Sequence, residues 1–136
     1  MLQSAFKYAN DTVKRVVITS STAAVVSPAP DNKPYVLDER SWNEHSIKEV
    51  ETKGKDAAKN DMYRASKTLA ERAAWQFIEN HKGEVKFDLV VLNPPFVYGP
   101  VQQEVDKPEN LNTSMLDWYN TVIKGTRTNE ELVNIR

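Results

Sequence analysis

Apolar side chains recur at Leu2, Ala5, Phe6, Ala9 and Val13, a spacing that predicts an amphipathic helix over residues 1 to about 10. No capping residue opens it, so it reads as a helix cut rather than started. Beyond Asn10-Asp11 the pattern changes. Arg15-Val16-Val17-Ile18-Thr19 is continuous and β-branched, which predicts a strand at about 15–20 covered on both faces, as parallel strands usually are. Ser20 and Ser21 stand at its C-terminal end. Residues 27 to about 57 open on Ser27-Pro28-Ala29-Pro30-Asp31-Asn32-Lys33-Pro34 and hold no sustained period; they read as a long loop with a turn of helix near Trp42 to Ile47. Long ordered loops in compact domains are often functional. A long helix is predicted over about 60–82, with Asn60 or Asp61 as N-cap, Lys82 in a cationic last turn and Gly83 as C-cap.

A second apolar run, Phe87-Asp88-Leu89-Val90-Val91-Leu92-Asn93, predicts a strand at about 87–93, stopped by the rigid Pro94-Pro95 pair. Strand, long helix and strand make a βαβ unit of an α/β fold, in which parallel pairing and a right-handed crossover are strongly favoured. Asn112 to Lys124 is a weaker helix capped by Asn112 or Thr113, and the residues from Asn129 form another helical turn. No internal repeat or low-complexity tract is present.

Composition narrows the function classes. With 136 residues, 40% of them apolar and 27% charged, the chain is that of a single globular domain. A net charge of −1 and a pI near 6.1 provide no basic field, so no nucleic-acid partner is expected. The absence of cysteine excludes disulfides and thiolate metal sites, and His45 and His81 lie too far apart to suggest a local ligand pair; no metal is expected. No stretch approaches the ~20 apolar residues of a membrane span, and the N-terminus lacks the apolar block of a secretory signal. No membrane partner is expected, and the default setting is the cytoplasm.

The chemistry concentrates in Asn60-Asp61-Met62-Tyr63-Arg64-Ala65-Ser66-Lys67. On a helix, Tyr63 and Lys67 are i and i+4 neighbours, about 6 Å apart at Cβ. An ammonium beside a phenol favours phenolate, and such a pair can deliver and recover a proton near neutral pH. The spacing by itself fits a helix-surface pair equally well. Tyr63, Lys67, Ala70, Ala74 and Phe77 fall along one stripe, whose alanines would let the helix lie close to a sheet or ligand, while Glu71, Arg72, Gln76 and Glu79 are expected to face water. In parallel sheets ligands sit beyond the carboxyl ends of strands, where Ser20-Ser21 and Asn93-Pro94-Pro95 stand. His45 reads as a loop residue and His81 as a helix-end residue. Asp38 and Glu39 read as loop-ordering acceptors rather than an acid–base pair. Trp42, Phe96, Tyr98, Leu111, Met115, Trp118 and Tyr119 are candidates for a core or for a substrate pocket.

Taken together, Val16-Val17-Ile18-Thr19-Ser20-Ser21, Tyr63-x3-Lys67 and Leu92-Asn93-Pro94-Pro95-Phe96-Val97-Tyr98-Gly99-Pro100, in this order, resemble the extended short-chain dehydrogenases/reductases. Within them the chain is most similar to the dihydroflavonol reductase, cinnamoyl-CoA reductase and fungal methylglyoxal or aldehyde reductase branch. Asp38-Glu39-Arg40-Ser41-Trp42 resembles that branch's Asp-Glu-x-x-Trp segment, and Ser66-Lys67-Thr68-Leu69-Ala70-Glu71 follows the tyrosine as it does there. The resemblance runs from residue 1 to about 125 and implies a partial Rossmann-like, doubly wound fold, with the start of a substrate-binding region after about residue 95.

It also implies roles. Tyr63 would protonate the carbonyl oxygen in reduction and act as base in the reverse direction. Lys67 would assist the phenol and hydrogen-bond the nicotinamide ribose. Ser21 would hydrogen-bond the substrate oxygen, with Ser20 as substitute, because successive strand side chains point to opposite faces. Thr19, Ser20, Pro94 and Val97 would border the cofactor. The implied cofactor is NADP(H), with NAD(H) as the alternative, and the implied substrate is a small carbonyl compound or alcohol.

The family pattern also includes a Gly-x-x-Gly-x-x-Gly turn that receives the pyrophosphate. The four glycines here, at 54, 83, 99 and 125, do not form it, and Asn10 is not obviously the asparagine many members place in the helix matching residues 1–10. The chain therefore reads as a single incomplete dinucleotide-binding domain, a central segment whose two-stranded sheet would expose apolar edges and faces and favour self-association. A nucleotide-sugar epimerase or dehydratase shares the Ser, Tyr and Lys; the Asp38–Trp42 segment favours a reductase. A noncatalytic protein that kept the dinucleotide fold is the third reading.

Overall fold

The computed structural model describes residues 1–27 and 35–133, in two compact units, Met1–Pro95 and Phe96–Arg136. Residues 28–34 of the expected loop lie outside the described residues. The first unit holds α1 (Leu2–Ala9), β1 (Arg15–Thr19), a 3-10 turn at Thr22–Ala24, α2 (Glu44–Lys53), a 3-10 turn at Gly54–Asp56, α3 (Lys59–Asn80) and β2 (Asp88–Leu92). β1 and β2 pair in parallel, in a register running from Arg15 opposite Asp88 to Thr19 opposite Leu92. At the first rung an Arg15–Asp88 ion pair of 2.5 Å holds the Asp88 carboxyl below its ordinary range. Pairing continues past the last rung, where Ser20 N–H donates to Leu92 (2.8 Å) and Thr22 N–H to Pro94 (3.0 Å).

The sheet is not covered on both faces. β1 alternates, with Val16 and Ile18 half-buried and Arg15, Val17 and Thr19 exposed, and Val17 and Leu92 are each 52% exposed. The continuous apolar run suggested two-sided cover, whereas here α3 lies against β2 and no second layer covers the opposite face among the described residues.

α3 is held on its inner face by Ala65, Thr68, Glu71 and Ala74, all buried, with α2 packed alongside through buried Ser46 and Ile47. Several expectations are corrected here. Glu71 is buried rather than solvated, and Ala70 is exposed, because the inner stripe is spaced by threes from Ala65. The helix starts at Lys59 after Ala58, without a side-chain cap. Asp61 instead accepts a 2.8 Å hydrogen bond from the Ser46 hydroxyl. At the other end His81, not Gly83, is the C-cap; Gly83 takes a positive φ of 86° in the turn that follows. Phe6 meets Phe77 and His81 edge-on, and Phe77 stacks on His81 at 4.3 Å, which ties α1 to this end of α3.

The single helical turn expected near residues 42–47 is a ten-residue helix capped by Asn43, whose side-chain oxygen accepts from Ser46 N–H. His45 is thus an exposed helical residue rather than part of a loop. Asn43 is fully buried. Its amide nitrogen donates to the Ala23 carbonyl and the Ser46 hydroxyl, its oxygen also accepts from the Ser27 hydroxyl, and its backbone N–H donates to the Ala24 carbonyl. The Thr68 hydroxyl, also fully buried, lies 3.2 Å from the Ala24 carbonyl and 2.9 Å from that of Arg64. The N-cap of α2 and one residue of α3 thereby grip the turn that follows β1.

The second unit holds a 3-10 turn at Pro108–Asn110, α4 (Thr113–Trp118), a π turn at Tyr119–Ile123 and α5 (Asn129–Val133). Asn112, rather than Thr113, caps α4 by accepting from Met115 N–H at 3.0 Å. Tyr98, Gly99, Pro100, Val101, Met115 and Trp118 line a hollow of about 460 Å³. No helix among the described residues is long and apolar enough to cross a membrane.

Candidate active site

Three segments of the first unit carry the residues singled out above. β1 ends at Thr19 and runs into Ser20 and Ser21, β2 runs into Asn93-Pro94-Pro95, and the first half of α3 carries Tyr63 and Lys67. The two strand ends are joined by the Thr22–Pro94 hydrogen bond. Pro94 and Pro95 have no N–H to extend the ladder, so the chain leaves the sheet here.

Ser20 and Ser21 differ as the pleat of a strand demands. Ser20 is 9% exposed, so its hydroxyl offers little surface to a ligand. Ser21 is half-buried and extended, with φ −163° and ψ 152°, and caps the Thr22–Ala24 turn. Its Oγ accepts from Ala23 N–H at 3.1 Å. That bond occupies a lone pair and leaves the hydroxyl hydrogen available to an outside acceptor, the polarity needed to bind a carbonyl oxygen. Thr19 is exposed at the last rung, opposite Leu92.

On α3 the Lys67 ammonium sits 5.9 Å from the centroid of the Tyr63 ring. The ring is half exposed, and its residue's carbonyl accepts from the Ser66 hydroxyl at 2.7 Å. No carboxylate among the described residues pairs with Lys67, so its three donors remain available. Ser21 and Tyr63 share no direct hydrogen bond. What relates them is the grip of Thr68 on Ala24 and the packing of the Thr22–Ala24 turn on α3. Val97 belongs to the second unit, 68% exposed, its carbonyl accepting from the Ser114 hydroxyl at 2.9 Å.

Other candidates have local duties. Asp38 accepts from Arg40 N–H and the Ser41 hydroxyl, ordering its own loop. Trp42 lies under the Arg72 guanidinium, 4.9 Å from the ring centroid, and Arg72 pairs with Glu44, whose carboxyl is held below its ordinary range by that hydrogen bond. Asn10 donates to the Glu84 carbonyl and accepts from Lys86 N–H, both at 2.9 Å. That bridge lies beside the starts of the strands, away from the end that carries Ser21. No cluster of three or more His, Cys, Asp or Glu side chains that could hold a metal exists among the described residues. Asn43, Ser46 and Thr68, which fix the turn after Ser21, carry no motif; the one signal in the sequence is a threonine in line with Ala65 and Ala74.

No family model matches the chain. The NADPH-dependent methylglyoxal reductase of Saccharomyces cerevisiae is 42% identical to it over 115 residues, covering 84% of this chain and 32% of that protein. A ketoreductase of Aspergillus niger is 47% identical over 108 residues, covering 76% and 28%. The crystal structure of the yeast methylglyoxal/isovaleraldehyde reductase complexed with NADPH superposes with a TM-score of 0.67 at 42% identity, over 83% of this chain and 32% of that one.

Sequence and fold agree, and the chain belongs to the extended short-chain dehydrogenases/reductases, in the branch of the methylglyoxal, aldehyde and cinnamoyl-CoA reductases. It spans about a third of the length of the relatives it matches. Its two-stranded parallel sheet and helices are a partial Rossmann-like α/β fold.

Proposed function

We propose that this chain is the acid–base segment of an NADPH-dependent reductase that converts an aldehyde or ketone to an alcohol. The observation that carries the proposal is the ordered set of Ser21, the Tyr63–Lys67 pair and Asn93-Pro94-Pro95 in one unit, in a chain 42% identical to an NADPH-dependent methylglyoxal reductase. In this reading the Ser21 hydroxyl donates to the carbonyl oxygen and holds it in place. The Tyr63 phenol gives that oxygen its proton, and the Lys67 ammonium stabilises the negative charge left on the phenolate. In alcohol oxidation the phenolate takes the proton back.

The same residues suit the nicotinamide end of the cofactor. Lys67, with no carboxylate partner among the described residues, has donors for ribose hydroxyls, and the donor-free backbone at Pro94-Pro95 lets a flat ring approach. Thr19 and Ser20 complete the proposed border, Thr19 through its exposed side chain and Ser20 through its backbone between Thr19 and Ser21. When bound, NADPH supplies the hydride. A cytosolic setting and self-association through the exposed sheet face around Val17 and Leu92 belong to the same proposal.

The test is a titration with NADPH followed by nicotinamide fluorescence, on this chain and on a form extended upstream to include a glycine-rich turn. Hydrogen bonds to charged groups contribute about 1.5–3 kcal/mol each, so a chain without the diphosphate cradle should bind ~10²-fold or more weakly than the extended form. Only the extended form should reduce aldehydes or ketones. Tight binding by both forms contradicts the need for the cradle, and an extended form that binds NADPH but reduces no carbonyl contradicts the proposed reaction.

A further inference from the structure

Glu71 is an unusual residue to find inside this unit. It is 7% exposed, and no lysine or arginine among the described residues pairs with it. A buried carboxylate without a cation is expensive to desolvate and requires hydrogen-bond donors. The donor present is Asn93, whose Nδ2 lies 2.8 Å from Glu71 Oε2. The same nitrogen lies 3.0 Å from the Ser21 carbonyl oxygen. A carboxylate and a carbonyl both accept, so the two hydrogens of one amide nitrogen serve both, and the orientation of the Asn93 side chain follows from its neighbours.

The Ser21 carbonyl also accepts from Ala24 N–H at 2.9 Å. With Asn93 as second donor, both of its lone pairs are engaged. The adjoining hydroxyl accepts from Ala23 N–H. Ser21 is therefore held at its carbonyl and at its Oγ, the first partly from β2 and α3 and the second from its own turn. Loss of the Asn93 contact would free the peptide to rock about the end of β1, and the direction of the hydroxyl with it.

We infer that Glu71 and Asn93 are a positioning pair for Ser21: Glu71 orients the Asn93 amide, and Asn93 fixes the peptide from which the Ser21 hydroxyl projects. The catalytic meaning of this pair rests on the reductase reading; its structural action does not. Neither residue touches the reacting atoms. The alternative is a simple staple between α3 and the end of β2, which would stabilise the unit without acting on Ser21.

Nuclear magnetic resonance on the 136-residue chain separates these without needing turnover. In the unsubstituted protein both Asn93 Nδ2 protons should exchange slowly with solvent. Glu71→Gln keeps an acceptor and should move one of those protons while leaving the Ser21 carbonyl resonance in place. Glu71→Ala and Asn93→Ala should each move that resonance and, for the loss of one hydrogen bond to a charged or buried group, speed exchange at the Ala23 and Ala24 amides about tenfold or more. Exchange at Ile18, inside the ladder, should stay as it was.

Equal acceleration at Ile18 and Ala23, or no change at Ala23 in either alanine variant, overturns the inference. If both alanine variants fail to fold, fast exchange of the Asn93 side-chain protons in the unsubstituted protein overturns it, and slow exchange together with retention of the Ser21 resonance in Glu71→Gln upholds it. In the upstream-extended form, Glu71→Ala should lower kcat about tenfold or more with the NADPH dissociation constant within about twofold, and Glu71→Gln should restore most of the rate. An extended form with no carbonyl reduction defeats the reductase reading, while the resonance and exchange data still decide the pair.

Discussion

Tyr63→Phe in the upstream-extended form should lower kcat by ~10²–10⁴-fold, the range that a positioned acid contributes, while the NADPH dissociation constant stays within about twofold. The substitution removes one oxygen and nothing else. The ring is half exposed, no described residue hydrogen-bonds its hydroxyl, and Lys67 still has an aromatic face 5.9 Å away. No cavity forms and no buried group loses a partner, so the thermal midpoint should be unchanged. The loss should appear equally in kcat and in kcat/KM, as expected for an interaction made only in the transition state. Steady-state rates with saturating NADPH check this, and unchanged turnover would remove Tyr63 as the acid.

Asn43→Ala should be the most destabilising single change in the first unit. It would strand the Ser46 N–H and take the donor from the Ser46 hydroxyl, both at a residue with no exposed surface, and release the half-buried Ala23 carbonyl. Each buried polar group left without a partner costs ~1–3 kcal/mol, so a loss of about 3 kcal/mol is expected and the thermal midpoint should fall by about 10 °C. Gln76→Ala provides the contrast. It breaks an exposed 2.7 Å hydrogen bond to Asn80, and surface changes of this kind lie within about 0.5 kcal/mol. Calorimetry of both variants checks the difference. Equal shifts would mean that the grip on the Thr22–Ala24 turn contributes little.

The elements that declare themselves in the sequence are those whose signal is local. Val16-Val17-Ile18 and Leu89-Val90-Val91 are β-branched or apolar throughout, and they form the parallel pair. Tyr63 and Lys67 meet because four residues of helix bring them together, whatever surrounds them. Asn112 acts on an N–H three residues away, so the cap of α4 was within reach of pattern reading, with Thr113 beside it as the competing choice.

What escaped depends on residues distant in the chain. Glu71 resembles any charged helix residue until Asn93, 22 positions later, provides its donor. α2 has a weakly apolar sequence, and its cap, Asn43, is secured by Ala23 and Ala24 some 20 residues earlier. The one-sided cover of the sheet was hidden for the opposite reason: the apolar run in β1 is written for two covering layers, and the described residues supply one. For Ser20 and Ser21 the alternation of a strand was the right guide to burial, although alternation alone could not say which of the two would lie inside.

The most direct measurement is a crystal structure of the upstream-extended form with NADPH and an unreactive carbonyl compound. The account predicts one carbonyl oxygen within about 3 Å of both the Ser21 and Tyr63 hydroxyls, with the Lys67 ammonium on the nicotinamide ribose. A carbonyl oxygen that touches neither hydroxyl, or a Lys67 turned away from both phenol and ribose, would contradict it.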